Sequence, residues 1–298
     1  MEQVQLSKGV ALSRIVAGCM RIQDSGMDDA QLLHFVEACL DQGVDSFDHA
    51  PVYGRYTCEK RFGDVVLRKA PALRNRMKLV TKTGITLPGV EGNRHIYYDA
   101  RRENIFKEVD ASLSKLATDH VDLLLVHRPD PLTSPQETAE ALETVVRQGK
   151  VLSVGVSNYT PAQFEALQRF LSIPLVTNQL EFSVKSADNF GNGASDDLFR
   201  RGIRPMAWSP LGGGSVFRGE DAQSLRLREV IGEIAAAHET SMDAVMYAWL
   251  LVHPLGILPI TGTMDIGRVK TAVDALDIRL SRDEWYAILA ASRGADVP

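Results

Sequence analysis

The sequence is poor in cysteine, in long apolar runs and in excess positive charge. Its 298 residues include only three cysteines, an odd number without metal-ligand spacing: Cys19, Cys39 and Cys58. This usage favours a reducing compartment, thiols that merely pack, and no metal site. No apolar run approaches the roughly 18 residues of a membrane span, and the first residues, MEQVQLSKGV, lack the pattern of a secretion signal.

The charge balance narrows the class of partner. A net charge of -5 and a pI near 5.8 argue against binding to a nucleic-acid backbone or to an anionic membrane surface. We therefore expect a cytoplasmic protein that acts on a small molecule.

Apolar, β-branched runs alternate with segments of helical periodicity, an order typical of parallel strands joined by helices. The strands are predicted near Ile15–Met20, Asp45–Asp48, Lys78–Lys82, Val121–His127, Val151–Ser157, Leu175–Leu180, Arg204–Trp208 and Leu258–Ile260. The helices are predicted near Asp29–Asp41, Cys58–Arg68, Arg101–Leu116, Pro135–Gln148, Pro161–Phe170, Ser195–Arg201, Ser224–His253 in two pieces, Ile266–Leu276 and Ser281–Ala291. A doubly wound sheet would open with a GxGxxG motif, which the chain lacks. We predict a (β/α)8 TIM barrel, an α/β fold, as a single domain over residues 1–298.

Polar residues stand at the ends of the predicted strands, where the active sites of such barrels lie. They are Asp48, Lys82, His127, Ser157 with Asn158, Gln179, and Trp208 with Ser209. Tyr53 follows Asp48 by five positions. A phenol with a pKa of about 10 exchanges protons poorly near neutrality unless a cation stabilises the phenolate. Lys82 is the candidate cation, Asp48 its partner, and His127 a hydrogen-bond donor to a substrate oxygen.

This set of side chains suits the polarisation and protonation of a carbonyl group. A second possibility is a barrel aldolase in which Lys82 forms a Schiff base. The neighbouring Asp48 speaks against it, because a carboxylate raises the pKa of a lysine.

Six segments, in this order, resemble the signatures of the aldo-keto reductases. They are GVDSFDHAPVYG, LVTKTG, VDLLLVHRPD, GKVLSVGVSN, TNQLEFS and MAWSPLGGG. The resemblance implies a (β/α)8 barrel that binds a nicotinamide cofactor as hydride donor, and a catalytic tetrad of Asp48, Tyr53, Lys82 and His127. Tyr53 would protonate the carbonyl oxygen, and Lys82 would lower its pKa. A monomer is the family's common state, and a cofactor-binding sensor with little turnover is the alternative function.

The resemblance also implies the residues that contact the cofactor. Ser157, Asn158 and Gln179 match positions that bind the carboxamide, and Trp208 matches an aromatic residue that stacks on the nicotinamide. The further contacts are Asp48, Gly18, Met20 and Arg21 near the ribose, and Ser209, Leu211, Gly212 and Gly214 around the pyrophosphate.

NADPH is favoured over NADH because of the segment PITGTMDIGRV, which fits a phosphate site after the eighth strand. Gly262 and Thr263 would donate hydrogen bonds, and the guanidinium of Arg268 would bind the adenosine 2′-phosphate. Met264 and Ala272 depart from the family pattern of phosphate and adenine contacts, and His49 replaces a small hydroxyl residue.

Two long loops follow the third and sixth predicted strands, ITLPGVEGNRHIYYDA and FSVKSADNFGNGAS. Their aromatic residues either line an apolar pocket or pack the loops themselves: Tyr97, Tyr98, Phe182 and Phe190. The loop after His127 and the tail SRGADVP are short. We therefore expect an open pocket that accepts aldehydes, ketones and dicarbonyls.

Overall fold

The computed structural model describes residues 1–296, so Val297 and Pro298 of the predicted domain and tail lie outside the described residues. The strands are β1 (Gln3–Ser7), β2 (Val10–Ser13), β3 (Val16–Gly18), β4 (Ser46–Asp48), β5 (Lys78–Thr83), β6 (Ile85–Thr86), β7 (Tyr97–Tyr98), β8 (Val121–Val126), β9 (Val151–Ser157), β10 (Leu175–Glu181), β11 (Met206–Trp208) and β12 (Leu258–Thr261).

The α-helices are α1 (Asp29–Asp41), α2 (Cys58–Phe62), α3 (Arg102–Leu116), α4 (Pro135–Arg147), α5 (Pro161–Gln168), α6 (Ala194–Arg201), α7 (Ser215–Arg218), α8 (Ala222–Ala237), α9 (Met242–Leu251), α10 (Ile266–Asp274) and α11 (Arg282–Arg293). None of these helices, over the part of the chain just defined, combines the length and the apolar character that a membrane crossing requires.

Eight parallel strands form a closed barrel in the order β10-β11-β12-β3-β4-β5-β8-β9. The register sets Gly18 opposite Asp48, and Asp48 opposite Val80. It also sets Lys82 opposite Leu125. The predicted (β/α)8 barrel is therefore confirmed, and the predicted helix near 224–253 does consist of two pieces, α8 and α9.

Two short antiparallel hairpins lie outside the barrel and were not among the predicted elements. β1 pairs with β2, and β6 pairs with β7. The second hairpin follows the strand that carries Lys82 and ends in exposed Tyr97 and Tyr98. These two tyrosines therefore lie in a surface hairpin.

The chain divides into two compact units, Met1–Gln179 with Gly262–Ile266, and Leu180–Thr261 with Gly267–Pro298. The single domain over 1–298 stays a prediction. In the first unit, every residue of β8 is buried. In the second unit, Phe182 and Phe190 pack with the core residues around Trp249. These two phenylalanines therefore pack the loop after β10 onto a core.

Local sequence explains where the helices begin. Thr160 caps α5, and its side chain and that of Gln163 exchange hydrogen bonds with each other's backbone. Pro161 occupies the first turn, where its missing N–H leaves no bond unmade. This start at Thr160 and Pro161 confirms the prediction.

Candidate active site

The core of the candidate site is an ion pair between β4 and β5. Asp48 and Lys82 are each almost fully buried, at 2% and 1% exposure. The Lys82 Nζ donates to Asp48 Oδ2 at 2.7 Å, to the main-chain oxygen of His49 at 2.8 Å and to Tyr53 Oη at 3.1 Å. An ammonium has three protons to donate, so each has an acceptor. The third bond directs positive charge onto the phenol oxygen.

The surroundings keep Lys82 charged. Burial works against its charge, but Asp48 and Tyr53 more than offset that effect and raise the pKa of Lys82 above its ordinary value. The lysine is therefore an ammonium at neutral pH, which disfavours its use as a Schiff-base nucleophile.

Tyr53 is half-buried, and its ring lies 5.0 Å from the Lys82 Nζ. Burial raises the pKa of Tyr53 to about 12, while Lys82 lowers it. The expected effect of Lys82 is present, but the expected net lowering of the Tyr53 pKa is not, because desolvation outweighs the cation. The phenol therefore keeps its proton at neutral pH.

His127 lies beside Tyr53, with the two rings edge to face at a centroid distance of 6.2 Å. Its backbone N–H donates to the oxygen of Thr83 at 2.9 Å, which ties it to the end of β5. Burial, followed by the charge of Lys82, holds the pKa of His127 well below its usual range. The imidazole is neutral, so it has one N–H to donate and no charge.

A second hydrogen-bonded group joins the ends of β9 and β10 to the ion pair. The Ser157 hydroxyl and the Asn158 backbone N–H both donate to the Gln179 main-chain oxygen at 2.9 Å. The Gln179 side-chain Nε2 donates to Asp48 Oδ1, also at 2.9 Å. Asn158 adopts a left-handed backbone, φ 61°, and its amide donates to Ser157 Oγ and to the oxygen of His127. The three predicted carboxamide residues thus form one group.

Five more predicted cofactor residues belong to the first unit. Gly18 is buried at the end of β3, while Met20 and Arg21 are exposed after it. Arg21 Nη1 donates to the oxygen of Gly262 at 2.8 Å, so two predicted residues from opposite ends of the chain meet. The Thr263 hydroxyl accepts from the backbone N–H of Asp265 at 3.1 Å.

The remaining predicted cofactor residues belong to the second unit. Trp208 ends β11 and is half-buried, and Ser209 and Leu211 follow it. Ser209 has a left-handed backbone, and so do Gly212, Gly213 and Gly214, with φ of 56°, 65° and 83°. Only glycine adopts this conformation three times running without strain. Arg268 is exposed in the first turn of α10.

Some groups around the ion pair escaped sequence reasoning. The main-chain oxygen of His49 is one of the three acceptors of Lys82, and a carbonyl group leaves no signal in residue type. The His49 ring is fully buried, and neither of its nitrogens has a hydrogen-bond partner among residues 1–296. It packs edge-on against Phe62 at 4.6 Å.

Two glutamates, the buried Glu59 and the half-buried Glu108, support β5 on either side of Lys82. Glu59 of α2 accepts from the hydroxyl of Thr81 at 2.6 Å, and Glu108 of α3 accepts from that of Thr83 at 2.6 Å. Burial raises the pKa of both carboxyls. The alternation Thr81-Lys82-Thr83 contained the signal, because neighbours along a strand face opposite sides.

The three cysteines are buried and form no disulfide. Burial raises the pKa of all three thiols. A thiol that stays protonated is a poor nucleophile, so the structure favours the expected packing role.

Comparison with known proteins identifies the family. The model of the Aldo/keto reductase family matches residues 14–293. This chain belongs to the aldo/keto reductase family. Two curated relatives are similar to this chain over their whole length. The uncharacterized oxidoreductase YcsN of Bacillus subtilis is 42% identical to it, and the 6-dehydroglucose reductase of Agrobacterium fabrum is 43% identical, each over 100% of both chains.

A solved structure supports the fold. The glycerol dehydrogenase of Gluconobacter oxydans superposes with a TM-score of 0.84 at 24% identity, over 99% of this chain and 97% of that one. The family resemblance seen in the motifs is therefore confirmed, and the protein is an NAD(P)H-dependent oxidoreductase.

Proposed function

We propose that the protein uses NADPH to reduce the carbonyl group of aldehydes, ketones or dicarbonyls, and that Tyr53 donates the proton. The supporting observation is the Lys82 ammonium, whose protons bind Asp48, the His49 carbonyl and the Tyr53 phenol. A cation held so firmly against a phenol has little structural value, because burying it costs more than an apolar residue would.

Tyr53 is suited to act as the acid. With a pKa of about 12 it carries its proton at neutral pH. As the proton leaves for the carbonyl oxygen, negative charge develops on Oη, 3.1 Å from the Lys82 Nζ. Lys82 stabilises that charge more than it stabilises the neutral phenol, and such differential stabilisation accelerates a reaction.

His127 and Asp48 have separate tasks in this proposal. The neutral His127 donates a hydrogen bond to the carbonyl oxygen and so directs it toward Tyr53. Asp48 keeps Lys82 charged and in place through the 2.7 Å ion pair. When bound, the nicotinamide supplies the hydride that adds to the carbonyl carbon.

The residues near Asp48 fit a nicotinamide carboxamide. A carboxamide has an oxygen that accepts hydrogen bonds and an NH2 group that donates them. The Ser157 hydroxyl and the side-chain amides of Asn158 and Gln179 offer partners of both kinds. We assign these three residues to the carboxamide. Gly18, Met20, Arg21, Gly262 and Thr263 of the first unit, and Trp208, Ser209, Leu211, Gly212 and Gly214 of the second, stay predicted cofactor contacts.

The preference for NADPH over NADH is assigned to Arg268, an exposed guanidinium at the start of α10. Changing Arg268 to Ala should lower the preference for NADPH by roughly tenfold to a hundredfold, the value of a hydrogen bond to a charged group. Lys270→Ala is the matched control, because Lys270 is an exposed cation of the same helix that pairs with Asp274. An equal loss in both variants would contradict the assignment.

The first assay follows NADPH oxidation with a panel of aldehydes, ketones and dicarbonyls. The panel includes 6-dehydroglucose, because two relatives, from Agrobacterium fabrum and Novosphingobium aromaticivorans, are named 6-dehydroglucose reductase. Tyr53→Phe should lower kcat roughly 100- to 10,000-fold while NADPH still binds. Tyr286→Phe, which removes an exposed phenol, is the control.

The assay separates enzyme from sensor. Wild-type turnover that is lost in Tyr53→Phe supports the proposal. Turnover retained in Tyr53→Phe would remove Tyr53 from the role of proton donor. If the wild type binds NADPH but reduces no member of the panel, the sensor function is the better account.

A further inference from the structure

We propose that Gln179 is a positioning residue for the Asp48–Lys82 pair, and that its single amide group links the carboxamide site to the proton donor. The inference rests on the proposed function and extends it. Gln179 was expected only among the cofactor contacts, yet its side chain reaches a residue of the tetrad, 131 positions away in the chain.

The direction of the Gln179 amide follows from chemistry. The carboxylate of Asp48 can only accept hydrogen bonds, so the partner of its Oδ1 must be the Nε2 of Gln179, at 2.9 Å. The amide oxygen consequently points away from Asp48. The other carboxylate oxygen, Oδ2, accepts from Lys82 at 2.7 Å. Asp48 is thus fixed at both oxygens, by Gln179 on one side and by Lys82 on the other.

Burial makes this arrangement matter. Gln179 and Asp48 are each 2% exposed, so water cannot replace a lost bond to Oδ1. Without the amide, the Asp48 carboxylate loses its restraint at Oδ1 and can turn, which would loosen its hold on Lys82. Lys82 would then stabilise charge on the Tyr53 oxygen less well.

Gln179 is itself held in place by the other carboxamide residues. Its main-chain oxygen accepts from the Ser157 hydroxyl and the Asn158 N–H, and the Asn158 amide donates to the oxygen of His127. The predicted carboxamide residues therefore meet the tetrad at two places, Asp48 and His127. A ligand amide bound there would order the same group that orients the acid.

Gln179→Glu gives the sharpest test. A carboxylate at this position would stand against Asp48, and the two would share a proton, with a raised pKa for the pair. A protonated Glu can donate to Asp48 Oδ1 as the amide does. We expect the kcat of the variant, relative to wild type at saturating NADPH, to rise by up to about tenfold per pH unit as the pH falls from 8 toward 6.

Two further variants separate positioning from cofactor binding. Gln179→Met, of similar length but without a donor, should lower kcat at least roughly tenfold at every pH and weaken NADPH binding, measured by fluorescence titration. Ser157→Ala removes the hydroxyl that donates to the Gln179 main-chain oxygen but keeps the Gln179 amide that donates to Asp48. It should weaken NADPH binding while the pH profile of kcat keeps its wild-type shape. Circular dichroism confirms that each variant is folded.

The outcomes are distinct. A kcat ratio for Gln179→Glu that stays flat with pH overturns the inference, and so does a Gln179→Met variant that weakens NADPH binding but keeps the wild-type kcat. The proposed function has its own failure, which is turnover retained in Tyr53→Phe or absent from the wild type. If that function holds and the Gln179 ratio is flat, only the present inference fails.

Discussion

Each of the two units contains a cluster of interacting side chains, and the two clusters are stabilised by different kinds of contact. The ammonium cluster of the first unit, Asp48, His49, Tyr53 and Lys82, is built from charges and hydrogen bonds. The indole cluster of the second unit consists of Phe190, Trp249, His253 and Trp285.

The indole cluster is stabilised by contacts between aromatic rings, whereas the ammonium cluster is stabilised by charges. Trp249 and Trp285 stack at 5.1 Å, and each indole N–H donates to the other's main-chain oxygen at 3.0 Å. Phe190 stands edge-on against Trp249. Apolar area, ring geometry and satisfied N–H groups all stabilise such a cluster.

The two clusters differ in what they contribute to the stability of the fold. A buried ion pair is seldom more stabilising than apolar packing of the same volume. The two His49 nitrogens, which are buried without a hydrogen-bond partner among the described residues, destabilise the folded state further. We read the indole cluster as structural and the ammonium cluster as functional. Substitutions in each cluster test that division.

The largest effect is expected for Lys82→Met. It leaves the Asp48 carboxylate buried without its counter-charge, which should lower the free energy of unfolding by about 3–5 kcal/mol. It should also lower kcat by roughly 100- to 10,000-fold, since Tyr53 loses its cation. Urea unfolding and NADPH oxidation give the two values.

The double variant Asp48→Asn with Lys82→Met sharpens this result. With both charges gone, most of the lost stability should return, but no activity. Recovery of activity together with stability would show that the ammonium cluster is structural after all.

In the indole cluster, Trp249→Ala should lower the free energy of unfolding by about 3–5 kcal/mol, the cost of emptying a large buried site. Trp249 is fully buried. The kcat of the folded fraction should not change. Phe217→Ala is the control, because Phe217 of the same unit is 40% exposed and its loss should change stability by at most about 0.5 kcal/mol. Equal losses in the two variants would refute the structural role.

His49 gives the smallest effect, and it depends on pH. Burial lowers the pKa of His49 to about 3. Below a pH of about 6.5, His49 is protonated in the unfolded chain, whereas in the folded protein it stays neutral down to about pH 3. The free energy of unfolding therefore falls as the pH falls through that window.

His49→Leu should remove up to about 1.4 kcal/mol per pH unit of that slope. The substitution should also raise the free energy of unfolding at pH 7 by about 1 kcal/mol or more, because it removes two buried nitrogens that have no hydrogen-bond partner among the described residues. Urea unfolding at pH 5.5 and pH 7.5 measures both effects. An unchanged slope would mean that the folded protein accommodates the imidazolium.

Much of the fold was predictable, because the barrel strands are short apolar runs with helical segments between them. The hairpin of β6 and β7 was not, since its strands, Ile85–Thr86 and Tyr97–Tyr98, are too short to show alternation. Phe182 and Phe190 illustrate a different limit. Either role, pocket lining or packing, suited their composition, and only the contacts with the core decide it.

The proximity of Asp48, Lys82 and Tyr53 was predictable in part for a similar reason. Asp48 and Lys82 are polar residues at the ends of buried strands, a pattern that residue type reveals. The bond from Gln179 to Asp48 joins β10 to β4, and no local pattern encodes it. The Tyr53 pKa also escaped prediction, because the extent of desolvation depends on packing around the ring.

The most direct test of the account mixes preformed enzyme–NADPH complex rapidly with an aldehyde and follows cofactor absorbance through a single turnover. Wild type and Tyr53→Phe are compared after equal cofactor binding has been verified. The account predicts rapid oxidation of bound NADPH by the wild type and a rate lower by roughly 100-fold or more in the variant. Equal rates in the two proteins would contradict it, because the proton would then come from a group other than Tyr53.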